Sequence, residues 1–273
     1  MGLDRFDYEE PRCPFETDFY KEHKDPVTVD MYRVLAKLDE YLSREDYASA
    51  ESHMKLWLTE AKSHGDIMAT VAILSELMGL MRKLSRRDDA YRYVEEAIEI
   101  VEANGLGDTV VGATAYLNGA TVRKAFSEDV EALSMYRRAE SVYQETLEAH
   151  DYRLAGLYNN MAVTLSSLRE YAEAVDYYSR AKDILSSIPT KEPEIAITCL
   201  NIADTLHEWD EEWYMDEIDG YVDEAERILE SDIPWDGNYA FVCSKCASAF
   251  RYHGRFMYAR ELMERARSIY ERN

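Results

Sequence analysis

Residues 154–181 read LAGLYNNMAVTLSSLREYAEAVDYYSRA. Apolar or small residues recur at three- and four-residue steps. Leu154, Tyr158, Met161, Ala162 and Leu165 precede the polar pair Arg169-Glu170, and Tyr171, Ala174, Tyr178 and Ala181 follow it. That period describes two amphipathic helices, and the polar pair is short enough to be a tight turn. One helix pair cannot bury its apolar side alone, so the fold depends on whether the pattern has copies.

It has copies along the chain. The small residue that opens the second helix appears as Ala50, Ala90, Ala132, Ala174, Ala225 and Ala259, at steps of 40, 42, 42, 51 and 34 residues. A second slot seven residues on holds Trp57, Ala97, Ala139, Ala181, Asp232 and Ala266. Asp232 breaks that row, so the fifth second helix is expected to end early or to be reset. Twelve residues before the first slot stand Met78, Ala120, Ala162 and Ala247, preceded by Leu77, Gly119, Met161 and Cys246. Helix axes about 8–10 Å apart call for slim residues there. In the fifth unit Ile202-Ala203 fill the slot, and extra residues at 210–215 precede the second helix. The first unit fits worst: strict counting puts Lys37 in an inner slot, so its turn is expected to differ by one residue.

The pattern W-x2-L-G-x2-Y followed by A-x3-F marks the tetratricopeptide repeat, and Tyr158, Met161, Ala162, Leu165, Ala174 and Tyr178 fill those slots. The chain therefore resembles the tetratricopeptide repeat family. The resemblance implies an all-α fold, a right-handed α-α superhelix of about six helix pairs over residues 29–273. Residues 1–28, interrupted by Pro11, Pro14 and Pro26, are expected to form an arm packed on the first repeat through Phe6, Tyr8, Phe15, Phe19 and Tyr20. In that family the first helices line a concave groove that takes a peptide or a partner helix. Two residues before the small slot this chain carries Glu76, Asn118, Asn160, Asn201 and Lys245. An Asn amide both donates and accepts, so a row of three can hold an extended backbone whatever its side chains; bonding between neighbouring helices is the structural alternative. The row looks like the grooves of kinesin light chains and of bacterial peptide-sensing repeat proteins.

Four residues after the small slot come Arg82, Lys124, Ser166, His207 and Arg251. Basic residues there would favour an acidic segment, unless they are simply solvated helix ends. The Lys, Asn and Arg set of the carboxylate-clamp subgroup is missing, so capture of a chaperone tail is not expected.

Composition narrows the classes. With 11 Gly and 6 Pro in 273 residues, 47% hydrophobic and 31% charged, the chain suits helices with a core. A net charge of −23 argues against nucleic acid, which needs a basic footprint. No apolar run is long enough for a membrane span, and the acidic first residues show no secretory signal, so a cytoplasmic protein is expected. Cys243-x-x-Cys246 has a metal-like step, yet it is a single pair, and Cys199 shares the repeat slot of Cys243. Buried reduced thiols explain the three, and no metal or cofactor is expected. No H-E-x-x-H, G-x-S-x-G or glycine-rich phosphate loop occurs, so no enzyme is expected. The expected role is a protein- or peptide-binding scaffold or adaptor. The alternative is a regulatory peptide-sensing receptor whose superhelix compacts on binding. Phe256, Met257, Leu262, Met263 and Ile269 on the terminal helix add the expectation of a homodimer through the C-terminal repeat.

Overall fold

Aspartate or threonine opens nearly every first helix of the repeat. The computed structural model describes residues 29–189 and 191–271, which form helices joined by turns, with no strand among them. In chain order the helices are α1 (Met31–Ser43), α2 (Tyr47–His64), α3 (Ile67–Lys83), α4 (Arg87–Ala103), α5 (Val110–Ala125) and α6 (Asp129–Thr146). Then follow α7 (Tyr152–Ser167), α8 (Tyr171–Ser186), α9 (Glu192–Asp210), α10 (Met215–Leu229), α11 (Gly237–Tyr252) and α12 (Phe256–Tyr270). The side chains of Asp30, Asp66, Thr109, Asp151 and Asp236 accept hydrogen bonds from backbone N–H groups in the first turns of α1, α3, α5, α7 and α11. Among these first helices only α9 lacks such a cap; Pro193 stands in its first turn, where its missing N–H costs nothing.

The turns inside the hairpins repeat one geometry. Glu45, Ser85, Ser127, Arg169 and Gly254 all have φ between 55° and 78°. Each lies five residues before the alanine that opens the second helix. Around each, two backbone bonds close the first helix: Ser85 N–H to the Arg82 carbonyl at 2.9 Å and Arg86 N–H to that of Met81 at 2.9 Å, for example. This left-handed closure satisfies the helix's last carbonyls within three residues. The first hairpin shares it, through Glu45 and Asp46 bonding Leu42 and Tyr41. The expectation of a different first turn is therefore wrong. Lys37 is half exposed and paired with Glu40.

The fifth hairpin is the exception. Its α9 is the longest described helix, 19 residues, and residues 211–214 form the turn without a positive φ. Counted from the start of α10, the residue that matches Ala174 is Ile218, and Ala225 matches Ala181. Sequence counting thus placed Ala225 one slot too early. With Ile218 in place the last two steps are 44 and 41 residues rather than 51 and 34, and Asp232 falls beyond the helix. The extra residues at 210–215 are real, and the early helix end at Leu229 agrees with the break seen at Asp232.

The described residues fall into two compact units, residues 29–147 with α1–α6 and residues 148–271 with α7–α12. The first buries Met54, Ile73, Leu74, Leu77, Met78, Met81 and Val94 in one continuous core. Gly119 shows how tightly it packs: a Cβ there would meet Met135 Cε at 2.6 Å and Val94 Cγ1 at 2.9 Å. In the second unit Tyr178, Tyr239 and Phe250 are fully buried beside alanines 174, 181, 225, 259 and 266. The arm expected at residues 1–28 lies outside the described residues.

Candidate functional site: the open faces of the first helices

Helical spacing separates the buried from the open side of each first helix. In the unit of residues 148–271, Arg153, Gly156, Asn160 and Ser167 lie on the less buried side of α7. On α9 the corresponding side carries Ile197, Asn201 and Asp204, each buried with 8% of its surface exposed, and the exposed Glu208; on α11 it carries Phe241, Lys245, Ser248 and Tyr252. Asn160 and Asn201 thus hold equivalent places on neighbouring hairpins, with Lys245 on the next. Among the described residues neither asparagine side chain has a hydrogen-bond partner; Asn160 is partly exposed, whereas Asn201 keeps only 8% of its surface open. In the unit of residues 29–147, Asn118 on α5 and Glu76 on α3 are partly exposed, as Asn160 is.

The neighbouring asparagine has the structural duty. Asn159 is fully buried; its Oδ1 accepts from Thr198 Oγ1 at 3.2 Å, joining α7 to α9, while its Nδ2 is sealed without a partner. The doublet Asn159-Asn160 therefore divides the two readings of the ladder between adjacent residues, one bonding helices and one facing out. Spacing alone shows an asparagine pair; only the helix register tells which member turns inward.

The basic slot is more heterogeneous than its spacing suggests. Arg82 is buried, with 7% of its surface exposed. Lys124 lies 3.7 Å from Asp129 across its own turn. His207 Nδ1 is 3.6 Å from Glu211 Oε1, and its ring meets Tyr252 edge-on at 4.8 Å. Arg251 is exposed. Counting did not reveal one bridge: His253 Nε2 lies 2.8 Å from Asp204 Oδ1 and ties the end of α11 to the open side of α9.

The cysteines lie away from this face. Cys199, Cys243 and Cys246 are buried and not disulfide-bonded. Burial pushes the Cys199 thiol up to about 12 and the Cys243 thiol up to about 11, and it drives Cys246 well above the usual thiol range. Thiols so protonated are neither nucleophiles nor metal ligands near neutral pH. Among the described residues no group of three His, Cys, Asp or Glu side chains is arranged to hold a metal ion.

No family model matches the chain, and no curated protein matches it. Solved structures do. BtubC (BKLC) from P. vanneervenii superposes with a TM-score of 0.66 at 24% identity, over 72% of this chain and 79% of that one. A putative kinesin light chain of Podosopora anserina with nearly identical TPR-like repeats gives 0.54 at 14% identity, over 73% and 94%. NprR in complex with its cognate peptide NprX gives 0.56 at 15% identity, over 91% and 69%. The likeness fixes the architecture: this is an all-α chain of tetratricopeptide-like helix hairpins.

Proposed function

We propose that this chain is a binding scaffold that holds an extended segment of a protein or peptide on the open faces of its first helices, and that it catalyses no reaction. The observation that carries the reading is the pair Asn160 and Asn201. Two amides in the same place on adjacent hairpins, Asn160 partly exposed and Asn201 with 8% of its surface open, are unused by the described fold and can each accept a peptide N–H and donate to a carbonyl. Lys245 and Arg251 on α11 add positive charge, which favours a segment bearing carboxylates. In the other unit Asn118 holds the equivalent place on α5, and the matching residue on α3 is the carboxylate Glu76. Arg82 and Lys124 are left out of this role because both already have partners within the fold, Lys124 lying 3.7 Å from Asp129. NprR, of similar fold, was solved with a bound peptide, which supports the same use of this architecture here.

The test begins with peptides selected from a random library against the purified chain. Replacing Asn160 and Asn201 by Ala should leave helicity unchanged and weaken the selected peptides by about tenfold or more. Unchanged affinity would remove the reading.

A receptor that changes shape on binding is the second form of the proposal, and a fall in radius of gyration on adding the selected peptide would distinguish it from a static adaptor. Self-association has its own observation. Phe256, Met263 and Tyr270 are exposed at seven-residue steps along one side of α12, whereas Leu262 and Ile269 are buried. Light scattering at two concentrations should show a dimer that Met263→Glu abolishes; a monomer at both would exclude it.

A further inference from the structure

Within the unit of residues 148–271, the three hairpin turns meet. Tyr171, just after the α7–α8 turn, stacks on Trp209 with ring centroids 6.3 Å apart and planes 23° apart. Trp209 in turn leans on Tyr214 at 5.0 Å. Thr205 Oγ1 lies 3.3 Å from Ser166 Oγ, and His207 meets Tyr252, so the ends of α7, α9 and α11 are adjacent. On this shelf Trp209, Trp213, Met215 and Tyr252 are 40%, 77%, 55% and 46% exposed. Contiguous aromatic surface left open to water marks an interaction site more often than a folding need. The shelf also sits at the one hairpin that departs from the repeated turn, where the lengthened α9 and residues 211–214 push Trp213 outward.

The charge around it is predominantly negative. Residues 208–219 hold Glu208, Asp210, Glu211, Glu212, Asp216, Glu217 and Asp219, all exposed, with no Lys or Arg among them. Glu211 approaches His207, and Asp210 Oδ1 accepts the Trp213 N–H at 3.0 Å. Of the arginines at the neighbouring turns, Arg255 is bound to Asp223, which leaves Arg169 and Arg251 against seven carboxylates. At this shelf the same turn of a second copy would bring carboxylates against carboxylates and be repelled, as would the phosphates of a nucleic acid.

We propose that this shelf docks a Lys- and Arg-bearing segment of a partner protein. The aliphatic stems and guanidinium planes lie on Trp209 and Trp213, and the charges meet the surrounding carboxylates. The shelf adjoins the asparagine face and shares Glu208 and Tyr252 with its edge, but it is centred on the helix ends and turns, and its ligand has the opposite charge.

The probe is a fluorescent peptide of alternating Arg and Leu, with a twin carrying Glu in place of Arg, titrated into the full chain by anisotropy. The basic peptide should bind and its twin should not, with affinity falling between about 0.05 and 0.3 M NaCl. Trp213→Ala should weaken binding about tenfold or more, as should Glu211→Gln/Glu212→Gln/Asp216→Asn/Glu217→Gln. Trp213 supports no core, so its variant keeps the fold, as circular dichroism will verify. A control of equal charge change, Glu60→Gln/Glu99→Gln/Glu131→Gln/Glu145→Gln, should weaken binding less than about twofold. Absence of basic-peptide binding overturns the proposal. So does an equal loss in the two four-site variants, which would mean general electrostatics, or a dimer lost on Trp213→Ala, which would mean a second copy. Asn160→Ala/Asn201→Ala should leave this binding unchanged, so either proposal can fail without the other.

Discussion

Gly112 and Gly156 lie in equivalent first helices and predict opposite outcomes. A Cβ on Gly112 would stand 2.2 Å from the backbone oxygen of Leu106, so the connection before α5 must move. Gly112→Ala should cost about 1–3 kcal/mol despite alanine's better helix propensity. Nothing lies within 4 Å of a Cβ on Gly156, so Gly156→Ala should stabilise by about 0.5–1 kcal/mol. Thermal or urea unfolding of the two variants checks both signs. The thiols give a second prediction at this scale. Folding raises the pKa values of Cys199, Cys243 and Cys246, so the neutral form persists in the native state at pH values where an unfolded thiol already ionises. In a Cys13→Ser background the three should resist a disulfide reagent at pH 9 and react at once in denaturant. Rapid native reaction would show the core to be open. Sequence spacing had suggested these thiols were interior, because Cys199 and Cys243 share a repeat slot. It could not single out Asn159 from Asn160, because a doublet carries both candidates and one residue of rotation decides between them.

At the scale of the element, the hairpin turn is where local chemistry and fold disagree. Four of the five regular turns place a residue with a Cβ in the left-handed region, and only the last uses Gly254. Ser85→Gly and Ser127→Gly should each stabilise by up to about 1 kcal/mol, since glycine adopts that backbone without steric cost. A lowered melting temperature would mean that the serine side chains do more than occupy the turn. The same turns explain what could be read from the sequence. A fixed five-residue offset from the left-handed residue to the opening alanine makes five hairpins periodic, so their second helices were legible, although the first turn was expected to differ and does not. The fifth was not: its α9 is longer and its turn has four residues, so counting slipped by seven and Ala225 took the place of Ile218. The slip did not mislead about Asn201, because that residue was placed by the first helix's own pattern, upstream of the extra residues.

At the scale of the whole molecule, charge decides the next prediction. The chain has 54 acidic and 31 basic residues, and many of its ion pairs are at the surface, such as Arg260 with Glu264 and Arg267 with Glu271. Exposed pairs contribute about 0–1 kcal/mol each, whereas the excess of negative charge acts on every part of the surface. Raising NaCl from about 0.01 to 0.5 M at pH 7 should therefore raise the melting temperature by screening that repulsion. A fall would show that the ion pairs outweigh it. The all-α repeat class was legible from the 3.6-residue period alone, whereas the division into two compact units was not, since the hairpin pattern runs through residues 147 and 148 without a linker.

The central claim is that the amides of Asn160 and Asn201 grip the main chain of a bound segment. Their side-chain NH2 resonances, assigned by comparison with the Asn160→Ala and Asn201→Ala variants, report this directly in a nitrogen–proton correlation spectrum. On titration with a library-selected peptide both should move and saturate with the same affinity as the bulk binding curve. If both stay fixed while the peptide saturates, the segment binds elsewhere and the account of this face is wrong.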